Sequence, residues 1–269
     1  METLDHFKSG NLREAIKAAT ADVKAKPTDT DCRALLSDLH CFAGDYERAD
    51  KHLEAITTLA PGAMIAVSLI RQLIRCEKWR LEFYREGRTP EFLGKPEPRL
   101  ELQLRASIEM REGNLEEASK LLAEAEEMRS ELAVESGETK YSDLRDCDDL
   151  LAGVFEVFTS TGKYYWIPME RVLELEPRPI ERPRDYLWRQ FRMEVKDGPE
   201  GEIYLPSIYC SENLDMADHD ADPARLGRVS EFTETEPVRG IGRRLFLLGD
   251  EAVTVDQLPA LTIANRGDN

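Results

Sequence analysis

The sequence predicts an α+β chain: a solenoid of helical hairpins, then a small, mostly-β part folded as a curved sheet or partly open barrel. Three observations carry this. One phrase recurs in the first half, as Gly10-Asn11-Leu12-Arg13-Glu14-Ala15, Gly44-Asp45-Tyr46-Glu47-Arg48-Ala49 and Gly113-Asn114-Leu115-Glu116-Glu117-Ala118. Pro27, Pro61 and Pro96 keep a matching beat, at intervals of 34 and 35 residues. From Lys163 onward the helical rhythm gives way to short aromatic and β-branched runs between glycines and prolines.

The 34-residue spacing of Gly10 and Gly44 is the period of tetratricopeptide repeats, each a helix–turn–helix unit. Glycine ends one helix because it accepts positive φ without steric cost. Asn11, Asp45 and Asn114 are then placed to cap the next helix. Ala15, Ala49 and Ala118 let the paired helices approach closely, and proline stops the second helix. Residues 30–61 match the repeat best. The third unit is degenerate, with a turn expected near Lys78-Trp79-Arg80-Leu81 and a long loop from Gly87 through Gly94-Lys95-Pro96. A plain helical bundle with coincidental glycines is the alternative.

These features place a helical-repeat domain at residues 1–140, without strands before Lys163, and an α+β domain at 141–269. A bridging helix is expected over Tyr141–Thr161, with Leu144, Leu151, Val154, Phe155 and Phe158 on one side. Strands are expected at Lys163–Ile167, Tyr186–Val195, Glu202–Leu205 and Arg244–Leu248. The acidic stretch Ser211–Pro237 reads as a long loop.

A net charge of −17 over 269 residues, with no basic stripe, argues against a nucleic-acid partner. No apolar run approaches a membrane span, and Met1-Glu2-Thr3-Leu4-Asp5 lacks the features of a secretory signal, so a cytoplasmic home without a membrane partner is expected. Five scattered cysteines without a CxxC pair suggest neither a disulfide framework nor a zinc site.

Four places invite a chemical reading. Asp146, Asp148 and Asp149 could hold a metal or share a proton, but acidic residues also favour a helix start. Asp218-His219-Asp220 with Asp222 lacks a turn glycine at calcium-loop spacing. Thr161-Gly162-Lys163 has Val157 where a phosphate loop needs glycine, and Gly240-Ile241-Gly242 lacks the third glycine of a dinucleotide fingerprint. No metal, cofactor or catalytic residue is therefore expected, and the chain reads as a non-enzyme.

The first helix of each hairpin lines the concave face of such a solenoid. That face maps to Asp31, Ala34, Asp38 and Cys41, then Ile65, Ser68, Gln72 and Arg75, then Leu100, Gln103, Ser107 and Met110. Its apolar part suits an amphipathic helix laid into the groove. Ile65, Leu100 and Met110 are the expected anchors, with Gln72, Gln103 and Arg75 as polar contacts; ordinary core roles for Ile65 and Leu100 are the alternative.

The second half carries longer phrases: Arg145-Asp146-Cys147-Asp148-Asp149-Leu150-Leu151-Ala152-Gly153-Val154-Phe155-Glu156, Gly162-Lys163-Tyr164-Tyr165-Trp166-Ile167-Pro168, Arg182-Pro183-Arg184-Asp185-Tyr186-Leu187-Trp188, Asp197–Pro206 and Gly240-Ile241-Gly242-Arg243-Arg244. With these the chain resembles the ImpE/TagJ family of type VI secretion accessory proteins. After Gly227-Arg228 the family tends to carry Thr-Asp-Trp, where this chain has Val229-Ser230-Glu231-Phe232. The resemblance implies a cytoplasmic adaptor that grips the N-terminal helix of the small contractile-sheath subunit, the TssB-type protein. It also implies an indirect influence on the ATPase that recycles the sheath. A small-molecule-binding or catalytic C-terminal domain, docked through the solenoid, is the alternative.

Overall fold

A computed structural model of the chain describes residues 2–210 and 221–263. The first half is helical: α1 (Glu2–Lys8), α2 (Leu12–Ala25), α3 (Thr30–Phe42), α4 (Tyr46–Leu59), α5 (Met64–Glu86), α6 (Pro98–Arg111) and α7 (Leu115–Glu127). The repeated phrase makes the hairpin turns as expected. Gly10, Gly44 and Gly113 sit at φ of 85°, 71° and 81°, where a side chain is strained. Asp45 caps α4 by accepting from the Arg48 backbone N–H at 3.1 Å, whereas Asn11 and Asn114 make no side-chain cap bond. Ala15, Ala49 and Ala118 are fully buried, which lets the paired helices close up.

The degenerate third unit differs from the expectation. Helix α5 runs unbroken for 23 residues through Lys78-Trp79-Arg80-Leu81 and stops only at Gly87, in the left-handed region at φ 82°. Without a glycine or a capping side chain nothing interrupts its ladder. Glu77 and Arg80 on this stretch are buried, so tertiary contacts hold the turn in helix.

The second half contains β1 (Val134–Ser136), β2 (Thr139–Tyr141), β3 (Leu144–Asp146), β4 (Val154–Thr159), β5 (Tyr164–Pro168), β6 (Val172–Pro177), β7 (Trp188–Val195) and β8 (Glu200–Pro206). A short helix α8 (Asp222–Arg225) follows, then β9 (Ser230–Phe232), β10 (Gly240–Gly242), β11 (Leu245–Leu248), β12 (Glu251–Thr254) and β13 (Leu261–Ile263). Eight strands form one antiparallel sheet in the order β2-β1-β13-β6-β7-β8-β4-β5. Its edge strands β2 and β5 do not pair with each other, so it is an open sheet and not a barrel. Strands β12-β11-β3 make a second sheet, and β10-β9 a hairpin.

The large sheet is the middle of three layers. One face, with Val154, Phe158, Tyr164, Trp166, Trp188 and Tyr204, shares a core with the helices. The other, with Phe155, Val157, Ile167, Phe191, Met193 and Leu205, packs with Leu144, Phe246 and Leu248 of the small sheet.

The expected bridging helix over Tyr141–Thr161 is absent: β3, a single tight turn at Asp149–Leu151, and β4 take its place. Strands thus begin at Val134, well before Lys163. The cause is burial on both faces, since Val154 and Phe158 enter one core while Phe155 and Val157 enter the other. A continuous apolar run of that kind fits the helical template as well as the strand template. The expected loop at Ser211–Pro237 holds α8 and β9, while Asp218-His219-Asp220 lies outside the described residues.

Candidate functional site

Helix α5 meets the large sheet through a buried polar network. Arg80 donates from Nε to Glu156 Oε1 at 3.0 Å, from Nη1 to Glu77 Oε1 at 3.1 Å and from Nη2 to the Ile208 carbonyl at 3.0 Å. Glu156 also accepts from the hydroxyls of Tyr84 at 3.1 Å and Tyr164 at 2.5 Å, and from Arg244 Nη1 at 3.2 Å. Trp188 Nε1 donates to Glu77 Oε2 at 2.9 Å. Burial opposes ionisation of Glu156, but Arg80 and Arg244 outweigh it and hold the carboxyl below its ordinary range.

The aspartates read as possible metal or proton carriers have arginine partners. Arg244 Nε donates to Asp146 Oδ2 at 2.5 Å, and Tyr209 donates to Asp146 Oδ1 at 2.7 Å. Arg239 Nε donates to Asp148 Oδ2 at 2.8 Å, and Asp148 also accepts from the Gly240 N–H. Burial raises Asp146 to about 6, only partly offset by Arg244. These side chains brace the β-rich half where β3, β10 and β11 converge.

The concave face of the solenoid is occupied by the chain's own β-rich half. Asp38 is buried and accepts from Arg184 Nη1 at 3.4 Å; burial raises it to about 6. Gln103 Nε2 donates to the Leu150 carbonyl at 2.8 Å, and Leu100 is 2% exposed beside it in the shared core. Gln72 and Arg75 press on the β4–β5 turn, where a Cβ added to Gly162 would lie 2.1 Å from Gln72 Oε1 and 3.1 Å from Arg75 Cδ. Met110 is half-buried, its sulfur 3.6 Å from Arg239 Nη1, and lines a cavity of about 260 Å³ with Tyr84 and Pro237. Ile65 points to solvent at 86% exposure. The six expected contact residues therefore do not share one groove.

A cleft of about 430 Å³ stays open between α5 and the wall made by residues 178–185 with strands β7 and β8. Leu69 and Leu73 line its α5 wall, Trp188 and Tyr204 lie on the sheet side, and Arg178, Arg182 and Glu202 stand at its rim. Ile65, Leu69 and Leu73 follow one another at four-residue steps, so one stripe of α5 runs from solvent into the cleft. Met64 and Leu59, 59% and 41% exposed, extend the apolar surface at its outer end. That spacing was available in the sequence; the opposing wall, from residues 178–204, was not.

Residues 138–262 match the family described as ImpE protein, a stretch running from β2 to β13 and holding all the long phrases of the second half. Over 241 residues the chain is 29% identical to the type VI secretion system accessory component TagJ of Pseudomonas aeruginosa, covering 90% of this chain and 83% of that protein. The β-rich half thus matches the ImpE family, and the chain as a whole is similar to TagJ. The likeness extends through the helical half. The crystal structure of protein VPA1032 from Vibrio parahaemolyticus superposes with a TM-score of 0.87 at 26% identity, covering 98% of each chain. The chain and that structure thus share the three-layer arrangement as a whole. No helix among the described residues is long and apolar enough to cross a membrane.

Proposed function

We propose that this protein is a non-catalytic accessory of a type VI secretion system that holds an amphipathic helix of a partner along the Ile65–Leu69–Leu73 stripe. The similarity to TagJ supports the secretion context. The family resemblance points to the N-terminal helix of the small sheath subunit, and through the sheath to its recycling ATPase. The observation that carries the site is Ile65, a large aliphatic side chain left 86% exposed at the outer end of the stripe that continues through Leu69 and Leu73 into a cleft with one apolar wall and a charged rim. Burying such a side chain contributes roughly 1.5–3 kcal/mol, so an anchor there is worth about a tenfold or larger change in affinity. Leu100 and Gln103, expected as contacts, are instead spent on the chain's own junction.

Titrating a fluorescently labelled peptide of the sheath subunit's N-terminal helix tests this reading. Ile65→Asp and Leu69→Asp should each weaken binding at least tenfold while the thermal midpoint barely moves for Ile65→Asp. Unchanged affinity in both variants moves the site elsewhere. No binding to the wild-type protein refutes the adaptor role.

A further inference from the structure

The segments around Tyr186, Ser207, Arg243 and Asp256 come together where the first hairpin meets the β-rich half, on the other side of residues 184–190 from the cleft's α5 wall. Backbone bonds tie them: Ser207 N–H donates to the Leu187 carbonyl, Arg244 N–H to Ser207, and Val255 N–H to Arg244. Three arginines converge on this spot. Arg243 lies over the Tyr186 ring at 5.7 Å and pairs with Asp256 at 2.6 Å. Arg228 lies over the Phe7 ring at 5.2 Å and feels the positive charge of Arg243. Arg189 is 5% exposed; among the described residues it donates one 3.3 Å bond, to the Gln190 carbonyl, and lies over the face of Phe191.

Their donors are not used up. Among the described residues Arg189 Nε and Arg243 Nε are buried without a hydrogen-bond acceptor, the hydroxyls of Ser207 and Thr254 are buried without a partner, and Asp256 Oδ1, though within ion-pair distance of Arg243 Nη1, receives no well-aligned hydrogen bond. A buried guanidinium with unmet donors is costly, because it has lost water without gaining an acceptor. Burial accordingly lowers the affinity of Arg189 for its proton, and Asp185 and Asp256 only partly restore it. Asp185 is itself engaged by the backbone N–H groups of Glu181 and Arg182, at 2.8 and 2.9 Å. In a chain of net charge −17 this is a local inversion of sign, with Arg228 exposed at its mouth.

We propose that Arg189, Arg228 and Arg243 form a binding site for an oxyanion, a carboxylate or phosphate group, with Ser207 and Thr254 as additional hydrogen-bond donors. Planar guanidinium groups suit both, through paired charge-assisted bonds.

Thermal unfolding of the full chain in inorganic phosphate, and separately in acetate, against sodium chloride at matched ionic strength tests the site. A saturable rise in midpoint beyond chloride is expected in at least one anion, following the logarithmic dependence on ligand over Kd. The anion giving the larger rise identifies the preferred group. Arg189→Met should unfold at the same or a higher temperature in chloride, because an uncompensated buried charge is gone, yet lose the anion response. Arg228→Ala, altering an exposed side chain, should weaken apparent binding at least threefold and serves as the test if Arg189→Met does not fold. No response to either anion in the wild-type protein, or a full response in these variants, overturns the proposal.

Discussion

Arg80 on α5 and Glu156 on β4 face each other across the seam between the helical and β-rich halves, 3.0 Å from Nε to Oε1, with side chains 3% and 0% exposed. Each has further buried partners, Glu77 for Arg80 and Arg244 for Glu156. The seam is therefore an ionic network enclosed by aromatic rings, and its charges depend on one another. Such networks specify one docking geometry when every member is satisfied and become destabilising when one is missing.

Removing one member should accordingly cost more than an average core substitution. Arg80→Met and Glu156→Gln are each expected to lower the unfolding free energy by about 3–5 kcal/mol, since each leaves a buried charge uncompensated. The Arg80→Met/Glu156→Met pair should cost clearly less than the sum of its single changes. Urea denaturation of the four proteins gives the coupling directly.

Two kinds of glycine should respond differently to alanine. Gly113 sits at φ 81° with open space around a prospective Cβ, so Gly113→Ala should cost only the left-handed strain, about 1–2 kcal/mol. At Gly240 a Cβ would lie 2.2 Å from the Tyr209 ring, which its 2.7 Å hydroxyl bond to Asp146 holds in place. Gly240→Ala should be the more destabilising of the two by thermal denaturation.

Acidification should act through the second hairpin. His40 stacks on His52 with ring centroids 5.7 Å apart, and burial lowers its pKa to about 4. A folded-state value below the unfolded one means that the neutral ring's contribution is present above pH 6.5 and is lost as pH falls toward 4. Asp38, raised to about 6 by burial, works the other way: its contribution is present at low pH and lost as pH rises through 6. The two nearly offset in the wild-type protein. In His40→Phe no proton is taken up at this position on unfolding, so the stability difference between variant and wild type should change in the variant's favour by about 3 kcal/mol between pH 6.5 and 4.

Aspartate at Ile65 and at Leu100 should separate surface from seam. Ile65→Asp should change the unfolding free energy by less than about 0.5 kcal/mol, because the side chain is already in water. Leu100→Asp should cost more than about 3 kcal/mol by burying an unpaired charge in the shared core. Comparable stabilities for the two variants would contradict the docking of the β-rich half into the solenoid.

The sequence by itself determined the local events. Gly10, Gly44 and Gly113 announced their hairpin turns because a positive φ is a property of the residue and its immediate neighbours. Strands β5 and β8 were likewise legible in Tyr164-Tyr165-Trp166-Ile167 and Ile203-Tyr204-Leu205, as runs of strand-preferring side chains. The family phrases of the second half could be read because the sequence records them directly. Only the tertiary structure decided the rest. Val154–Phe158 became a strand because two cores compete for its opposite faces, and a one-dimensional period cannot register two cores. Helix α5 ran through Lys78–Leu81 because Glu156, 76 residues away from Arg80, rewards the buried arginine with a partner. The solenoid's concave face was filled by the chain's own sheet, which turned Leu100 and Gln103 from expected partner contacts into seam. The arginines at 189, 228 and 243 met for the same reason: long-range packing brings together groups whose separation along the chain carries no sign of their proximity.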